Sequence, residues 1–217
     1  MYVPAHFRED DAAVLHALIA AVPFATLVTI AEGRPIASHV PMLLETGRGP
    51  HGTLVCHVAR ANPQWRTIAP ETEALAMFLG PDAYISPSFY ASKREHGRVV
   101  PTWNYIAVHA WGAVRLIEDP DELRTLVDRL TRRHEAERAD PWNVADAPES
   151  YVRDQLRGIV GLEIAIARIE GKWKLGQNRP RADIEGAIDG LESSGDPADR
   201  ATAAAMRAAS PHDPVTG

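Results

Sequence analysis

Cysteine occurs once in these 217 residues, at Cys56, so an internal disulfide is excluded. Such scarcity points to a reducing compartment, and within "GTLVCHV" the thiol reads as a small buried hydrophobe rather than a nucleophile. No apolar run approaches the roughly 18 residues that a membrane-spanning helix needs. The opening "MYVPAHFRED" lacks the basic-then-apolar pattern of a secretion signal. A cytoplasmic location without a membrane partner is therefore expected. Positive charge is also scarce: 23 Lys and Arg stand against 29 Asp and Glu, a formal net charge of -6. Non-specific DNA binding depends on neutralising phosphates with Lys and Arg. Overall charge thus argues against DNA as a partner, and only a local basic patch leaves it open.

Familiar catalytic signatures are missing as well. There is no H-E-x-x-H, no G-x-S-x-G elbow, no P-loop, and no G-x-G-x-x-G opening a helix after a strand. No catalytic residue is assigned on these grounds. What remains is a chain with 45% hydrophobic and 24% charged residues, enough to bury a core.

The periodicities order that chain. Asp10 and Asp11 precede a helical stripe of Val14, Leu15, Leu18, Ile19 and Val22, which Pro23 ends. "FATLVTI", "IASHVPMLL", "TLVCHV" and "EALAMFL" read as strands, with Pro41 marking an edge or a break. Asn62 and Pro63 read as the cap and first position of a helix. "GPDAYISPSFYASKREHGRVVP" is too irregular for a helix and reads as a working loop. A long strand from Val100 follows, then a helix opened by Asp119 and one from Ala147 closed by Gly158. "GLEIAIARIEGKWKLGQNR" is a late strand, and Ile184, Ile188 and Leu191 mark a short helix. Residues 193–217 read as a mobile tail, leaving residues 1–192 as one domain. Short strands without repeated βαβ units predict an α+β fold built on a barrel or sandwich.

Four features carry chemical content. His39, His57 and His109 lie on three predicted strands; they could ligate a metal or haem, or be separate strand histidines. In "HVARANPQW" a strand runs into a helix start beside Arg60. Free backbone N–H groups and a guanidinium there would suit a phosphate, while the plainer reading is a capped surface helix with a solvated arginine. "GKWKLGQNRPR" concentrates Lys172, Lys174, Arg179 and Arg181 around Trp173, which also reads as a charged strand edge. One face of the long strand carries Trp103, Tyr105, His109 and Trp111. Flat rings beside polar groups suit a phosphorylated heterocycle or a dimer interface.

The stretches "MYVPAHF", "SHVPMLL", "GTLVCHVARANPQW", "FLGPDAYISPSFY", "VPTWNYIAVHAWGAV" and "GIVGLEIAIARIEGKWKLGQNR" occur in this order in PaiB-type proteins, described as FMN-binding negative transcriptional regulators. The chain resembles that family from Met1 to about Leu191. The resemblance implies an FMN-binding split β-barrel like that of the pyridoxamine-phosphate oxidases, assembled as a homodimer with FMN near the interface. It implies a flavin-phosphate site at His57, Arg60, Ala61 and Asn62, with Ser38 and His39 near the isoalloxazine or ribityl chain. Trp103, Asn104, Lys172, Gln177 and Arg179 would come from the other subunit. The oxidases carry a Ser-Arg-Lys run after the third strand; here Ala61, Asn62 and Pro63 replace it, leaving Arg60 as the substitute clamp.

No helix-turn-helix is legible, because the connection between the two middle helices is too long. Lys93, Arg94, Arg98, Arg132 and Arg133 could supply a basic surface or an ordinary solvated one. Three functions stay open at this point. The first is a flavin-binding repressor, the second an FMN- or F420-dependent oxidoreductase, and the third a haem-binding split barrel using one of the three histidines.

Overall fold

A computed structural model describes residues 1–69 and 73–210. Its strands are β1 (Arg8–Glu9), β2 (Phe24–Ala31), β3 (Arg34–Pro41), β4 (Leu43–Glu45), β5 (Thr53–Ala59), β6 (Glu73–Ile85), β7 (Thr102–Ile117) and β8 (Ile159–Lys174). Its helices are α1 (Ala12–Ala21), α2 (Ser92–Glu95), α3 (Pro120–Glu135), α4 (Glu149–Arg157), α5 (Arg181–Glu192) and α6 (Pro197–Ala209). The chain forms two compact units. One comprises Asp11–Phe78 and His109–Ile169; the other comprises Met1–Asp10, Leu79–Val108 and Glu170–Gly217, described to Ser210. Strands β6, β7 and β8 each contribute to both.

In the Asp11–Ile169 unit, the strands follow the order β3-β2-β6-β7-β8-β5-β4. Glu32 and Gly33 both adopt positive φ, 51° and 74°, which makes a two-residue hairpin turn whose twist matches its strands. That turn sets the β2–β3 register, pairing Thr26 with His39 and Leu27 with Ser38. Pro41 ends β3, the first strand of this order, where a missing N–H is tolerated. Across the sheet, His57 pairs with Gly161. A Cβ on Gly161 would stand 2.9 Å from Ile117 Cβ and 3.1 Å from Leu123, so only glycine lets α3 sit this close. Leu123, Leu126 and Leu130 of α3 then close with Val152 and Leu156 of α4 over Val55 and Ile117. Asp119 caps α3, accepting from the Asp121 and Glu122 amides at 3.0 Å.

An ion lattice crosses the same unit. Arg48 bridges Glu45 at 2.6 Å and Glu163 at 2.8 Å, and Arg129 also pairs with Glu45. Arg115 joins Glu163 at 3.1 Å to Glu122 at 2.9 Å.

In the other unit, β1 pairs with the end of β8, Arg8 opposite Lys172. Asp183, 2% exposed, accepts from the Ser92 amide at 2.9 Å and its hydroxyl at 2.8 Å, clasping α2 to the start of α5. The Phe89 ring occupies the space a Cβ on Gly190 would need, at 2.4 Å. Ile188, Leu191, Ala203 and Met206 are buried on α5 and α6.

Four expectations change. The fourth strand continues past Leu79 to Ile85, where burial alternates again at Ala83 and Ile85 after a break over residues 79–82. The remainder of the expected working loop holds a 3-10 turn, Pro87–Phe89, and α2. After Asn62 there is only a five-residue 3-10 turn, Pro63–Thr67. The expected tail instead contains α6, whose small residues Thr202 and Ala203 are fully buried. Residues 211–217 of that tail lie outside the described residues.

Gly112→Ala would drive a Cβ to 1.9 Å from the Ala165 carbonyl oxygen. The expected loss is about 3 kcal/mol in urea unfolding, against under about 0.5 for Gly47→Ala, which meets nothing within 4 Å. Burial raises the Glu163 carboxyl, but hydrogen bonds from Arg115 and Arg48 outweigh it and hold the group below its ordinary value. The folded chain thus binds that proton more weakly than the unfolded one. The lattice's contribution is complete above the ordinary carboxylate range and is lost as pH falls through the lowered value. Urea midpoints from about pH 6 to pH 3 should fall less steeply in Glu163→Gln than in the unaltered chain.

Candidate functional site

The β5 exit is organised by one buried amide. Gln64, 0% exposed, donates through Nε2 to Leu27 O at 3.2 Å, Thr29 Oγ1 at 3.1 Å and Ile36 O at 3.2 Å. The 3-10 turn is thereby tied to both β2 and β3. The Gln64 amide N–H donates to Asn62 Oδ1 at 2.9 Å, and Asn62 Nδ2 donates to Ser38 Oγ at 2.9 Å. Asn62 therefore caps the turn and reaches β3 with one side chain.

The expected anion clamp is engaged within the chain. Arg60 donates from Nε to Arg157 O at 3.0 Å, from Nη1 to Glu118 at 2.8 Å and from Nη2 to Ile159 O at 3.0 Å. Its backbone amide reaches Gly158 O at 2.7 Å, while the Asn62 amide reaches Ala59 O at 2.8 Å. The amides of Asn62 and Gln64, expected to point outward, are thus bonded internally, and so is that of Arg60. Ala61 occupies the exposed corner of this turn.

Strand alternation separates the other expected residues. Ser38 faces Asn62, whereas His39 points to the opposite side of β3 and meets Thr26 Oγ1 at 3.0 Å. His57 shares the face of β5 that carries Val55 beneath α3 and α4. Burial pushes its imidazole below the ordinary value, favouring the neutral ring, and its Nδ1 has no hydrogen-bond partner. His109 instead lies edge-on to Trp111, centroids 5.6 Å apart. The three histidines thus occupy three different surroundings. Among the described residues, no group of three or more His, Cys, Asp or Glu is placed to hold a metal ion. Burial pushes the Cys56 thiol up to about 12, which keeps it an unreactive core group.

The Glu170–Ser210 part of the other unit gathers positive charge. Lys172, 7% exposed, donates to Tyr2 O at 3.1 Å and lies 5.1 Å from the Tyr105 ring centre. Lys174 Nζ donates to Thr102 Oγ1 at 2.7 Å and to Trp103 O. Arg179 stacks 4.2 Å over Tyr90. Burial, then the charges of Lys172 and Arg179, hold the Lys174 ammonium below its ordinary value. Lys172, Lys174 and Arg179 have no ion-pair partner among the described residues. Gln177 closes the adjacent turn, donating to Trp173 O at 2.6 Å and accepting from the Leu175 amide at 2.9 Å. Trp103 stays half exposed, its Nε1 donating to Asp82 at 2.8 Å. Asn104 is buried, and its amide donates to Met206 Sδ at 3.3 Å.

Two groupings therefore emerge, Ser38–Asn62–Gln64 in one unit and Lys172–Lys174–Arg179 in the other. Sequence reasoning named Gln64 for its backbone and missed its side chain, whose only signal was an amide two positions after a cap. It noticed Lys174 but left it among strand-edge charges.

A family profile described as "Putative FMN-binding domain" matches residues 1–168. Protease synthase and sporulation protein PAI 2 of Bacillus subtilis is 36% identical over 91% of this chain and 92% of its own length. An uncharacterized protein of Emericella nidulans is 33% identical over 95% of this chain and 96% of its own. Among solved structures, the FAD and heme binding protein from Mycobacterium smegmatis superposes with a TM-score of 0.59 at 22% identity, covering 82% and 78% of the two chains. The flavocytochrome Anf3 from Azotobacter vinelandii gives 0.52 at 17%, covering 79% and 72%. These identities speak for fold alone, and the fold is the expected α+β split β-barrel. No helix among the described residues is long and apolar enough to cross a membrane.

Gln64→Ala strips the partner from two strand carbonyls and a buried hydroxyl. A loss of about 2–3 kcal/mol in urea unfolding is expected, with faster amide exchange in β2 and β3 near Leu27 and Ile36.

Proposed function

The chain belongs to the PaiB-type FMN-binding family, and from that premise we propose a cytoplasmic homodimer that binds FMN and acts as a negative transcriptional regulator. The observation that carries this reading is the end-to-end likeness to PAI 2, which spans the sheet and both residue groupings.

The residues present fit FMN, and they fit it unequally. Lys172, Lys174 and Arg179 form a cation cluster beside the Tyr90 and Tyr105 rings, with no carboxylate bonded to it. An anion bearing a flat heterocycle would offset the burial, and then the repulsion from Lys172 and Arg179, that lower the Lys174 ammonium. The Arg60 turn contributes differently. With its guanidinium already bonded to Glu118 and two carbonyls, Arg60 shapes the turn, while Ser38 and Asn62 offer a hydroxyl and an amide. We assign the phosphate-binding charge to Lys172, Lys174 and Arg179 and a ribityl-binding role to Ser38 and Asn62. In the dimer, Trp103 and Gln177 come from the subunit that supplies the cluster, Ala61 borders the Ser38–Asn62 side, and Asn104 holds Met206 through its amide; His39 and His57, turned to other faces of their strands, stay outside the flavin contact. FMN itself would supply any redox chemistry.

Exposed apolar side chains support self-association. Phe24 and Ile30 of β2 are 67% and 47% exposed, and Leu79, Tyr84 and Trp103 of the other unit are 65%, 50% and 50% exposed. The Tyr84 and Trp103 ring centres stand 6.1 Å apart, and exposed apolar surface of this kind marks interfaces. DNA is the partner that repression requires. Arg94, Arg98 and Arg132 are exposed and supply local positive charge on a chain of net charge -6.

Titration with FMN, followed by flavin fluorescence, is expected to saturate. Lys174→Met should weaken it at least about tenfold, roughly what one charge-assisted hydrogen bond contributes, and Arg60→Ala by less. Because the anion favours charged Lys174, affinity should fall as pH rises through the lowered Lys174 value. An unsaturable titration would remove FMN from the reading. Light scattering of Trp103→Asp, expected to shift the dimer toward monomer, tests assembly. For repression, the purified protein should prefer its own promoter region over random DNA at several salt concentrations. Equal affinity for both would overturn direct repression.

A further inference from the structure

We propose that the cavity between the start of α3 and the end of α4 binds a small organic anion, a carboxylate or phosphate head on a short apolar body. Nothing in the flavin reading requires this site, and it lies wholly within the Asp11–Ile169 unit.

The cavity measures about 190 Å³. Drug-sized ligands occupy roughly 300–1,000 Å³, so the space suits a smaller molecule. Arg60, Arg153 and Arg157 line it together with one acid, Glu118. Three cations against one anion leave it positive. The pairs do not exhaust that charge: Glu118 bonds Arg60 at 2.8 Å, and Arg157 reaches Asp154 at 2.9 Å. Arg153 has no carboxylate partner among the described residues. It therefore presents an unengaged guanidinium fork, the geometry that carboxylate and phosphate oxygens match in pairs.

Arg60 is bonded through three of its five N–H groups, which shape the turn, and one N–H on each terminal nitrogen remains for a second anion. Two backbone carbonyls, Arg157 O and Ile159 O, each accept from it at 3.0 Å, and its guanidinium lies 5.7 Å from the Trp65 ring centre. A cation held this way needs little reorganisation to receive a second anion. Glu118 shows that a carboxylate fits there, and its side chain is 51% exposed, so its hold on Arg60 is screened and exchangeable. The rest of the lining is apolar: Pro120, with Leu123 and Leu156 of the buried core. A bare inorganic ion would leave that surface uncovered. The apolar floor is what selects an organic body.

The probe is benzoate, with inorganic phosphate as comparison, titrated calorimetrically into the full chain at constant ionic strength. Benzoate should saturate one site per chain at least tenfold more tightly than phosphate. Arg153→Ala, a change at an exposed side chain, should weaken benzoate at least tenfold while leaving the urea midpoint unmoved. Glu118→Gln should tighten it several-fold by removing the internal competitor. Lys174→Met should leave benzoate binding unchanged, which separates this site from the flavin cluster. Unsaturable benzoate binding, equal affinity for phosphate, or an Arg153→Ala variant that binds as before would each overturn the proposal.

Discussion

A primary amide buried without acceptors costs more than most single contacts return, and Gln64 is buried completely. Its Nε2 therefore has to be where Leu27 O, Thr29 Oγ1 and Ile36 O converge, and that need fixes much else. The 3-10 turn cannot rotate away from β2 and β3. Asn62 is held by the Gln64 backbone and can reach Ser38. Trp65, in the same turn, donates its indole N–H to Arg60 O at 3.0 Å and so anchors the end of β5. One side chain thus sets the distance between an edge hairpin and the strand that α3 and α4 cover.

The two units treat charge in opposite ways. In the Asp11–Ile169 unit, arginines alternate with glutamates, and the lattice through Glu45 and Glu163 is self-neutralising. Such a lattice gives rigidity and little pull on a ligand. Lys172, Lys174 and Arg179 are supported instead by carbonyls, a hydroxyl and aromatic faces, which solvate cations without cancelling them. An uncompensated, partly desolvated cluster is where an anionic cofactor gains most. Arg153 is a smaller instance of the same asymmetry within the unit that holds the neutralised lattice.

Much of the fold was legible because its signals are local. Asp11 and Asp119 cap helices as their positions imply, Pro41 closes an edge strand, and Gly158 ends α4. The family resemblance was legible from long, unusual strings such as "VPTWNYIAVHAWGAV". Side-chain commitments were not. Nothing near Arg60 in sequence reveals that Glu118, Arg157 and Ile159 claim its guanidinium, because those partners lie 58 to 99 positions away. Ser38 and His39 look interchangeable until strand alternation sends them to opposite faces. The Asp183–Ser92 clasp spans 91 positions and carries no motif at all.

Helix α6 illustrates how composition misleads at a chain end. "RATAAAMRAAS" has little to bury, yet its alanines and Thr202 allow close approach, and Met206 brings one large side chain onto Asn104. Packed structure therefore extends at least to Ser210. Cutting the chain at Ser193 would bare the Asn104 amide and the inner faces of Ile188 and Leu191, leaving a sticky remnant rather than a trimmed one. A fusion partner or affinity handle belongs beyond Ser210, where it leaves this seal unbroken.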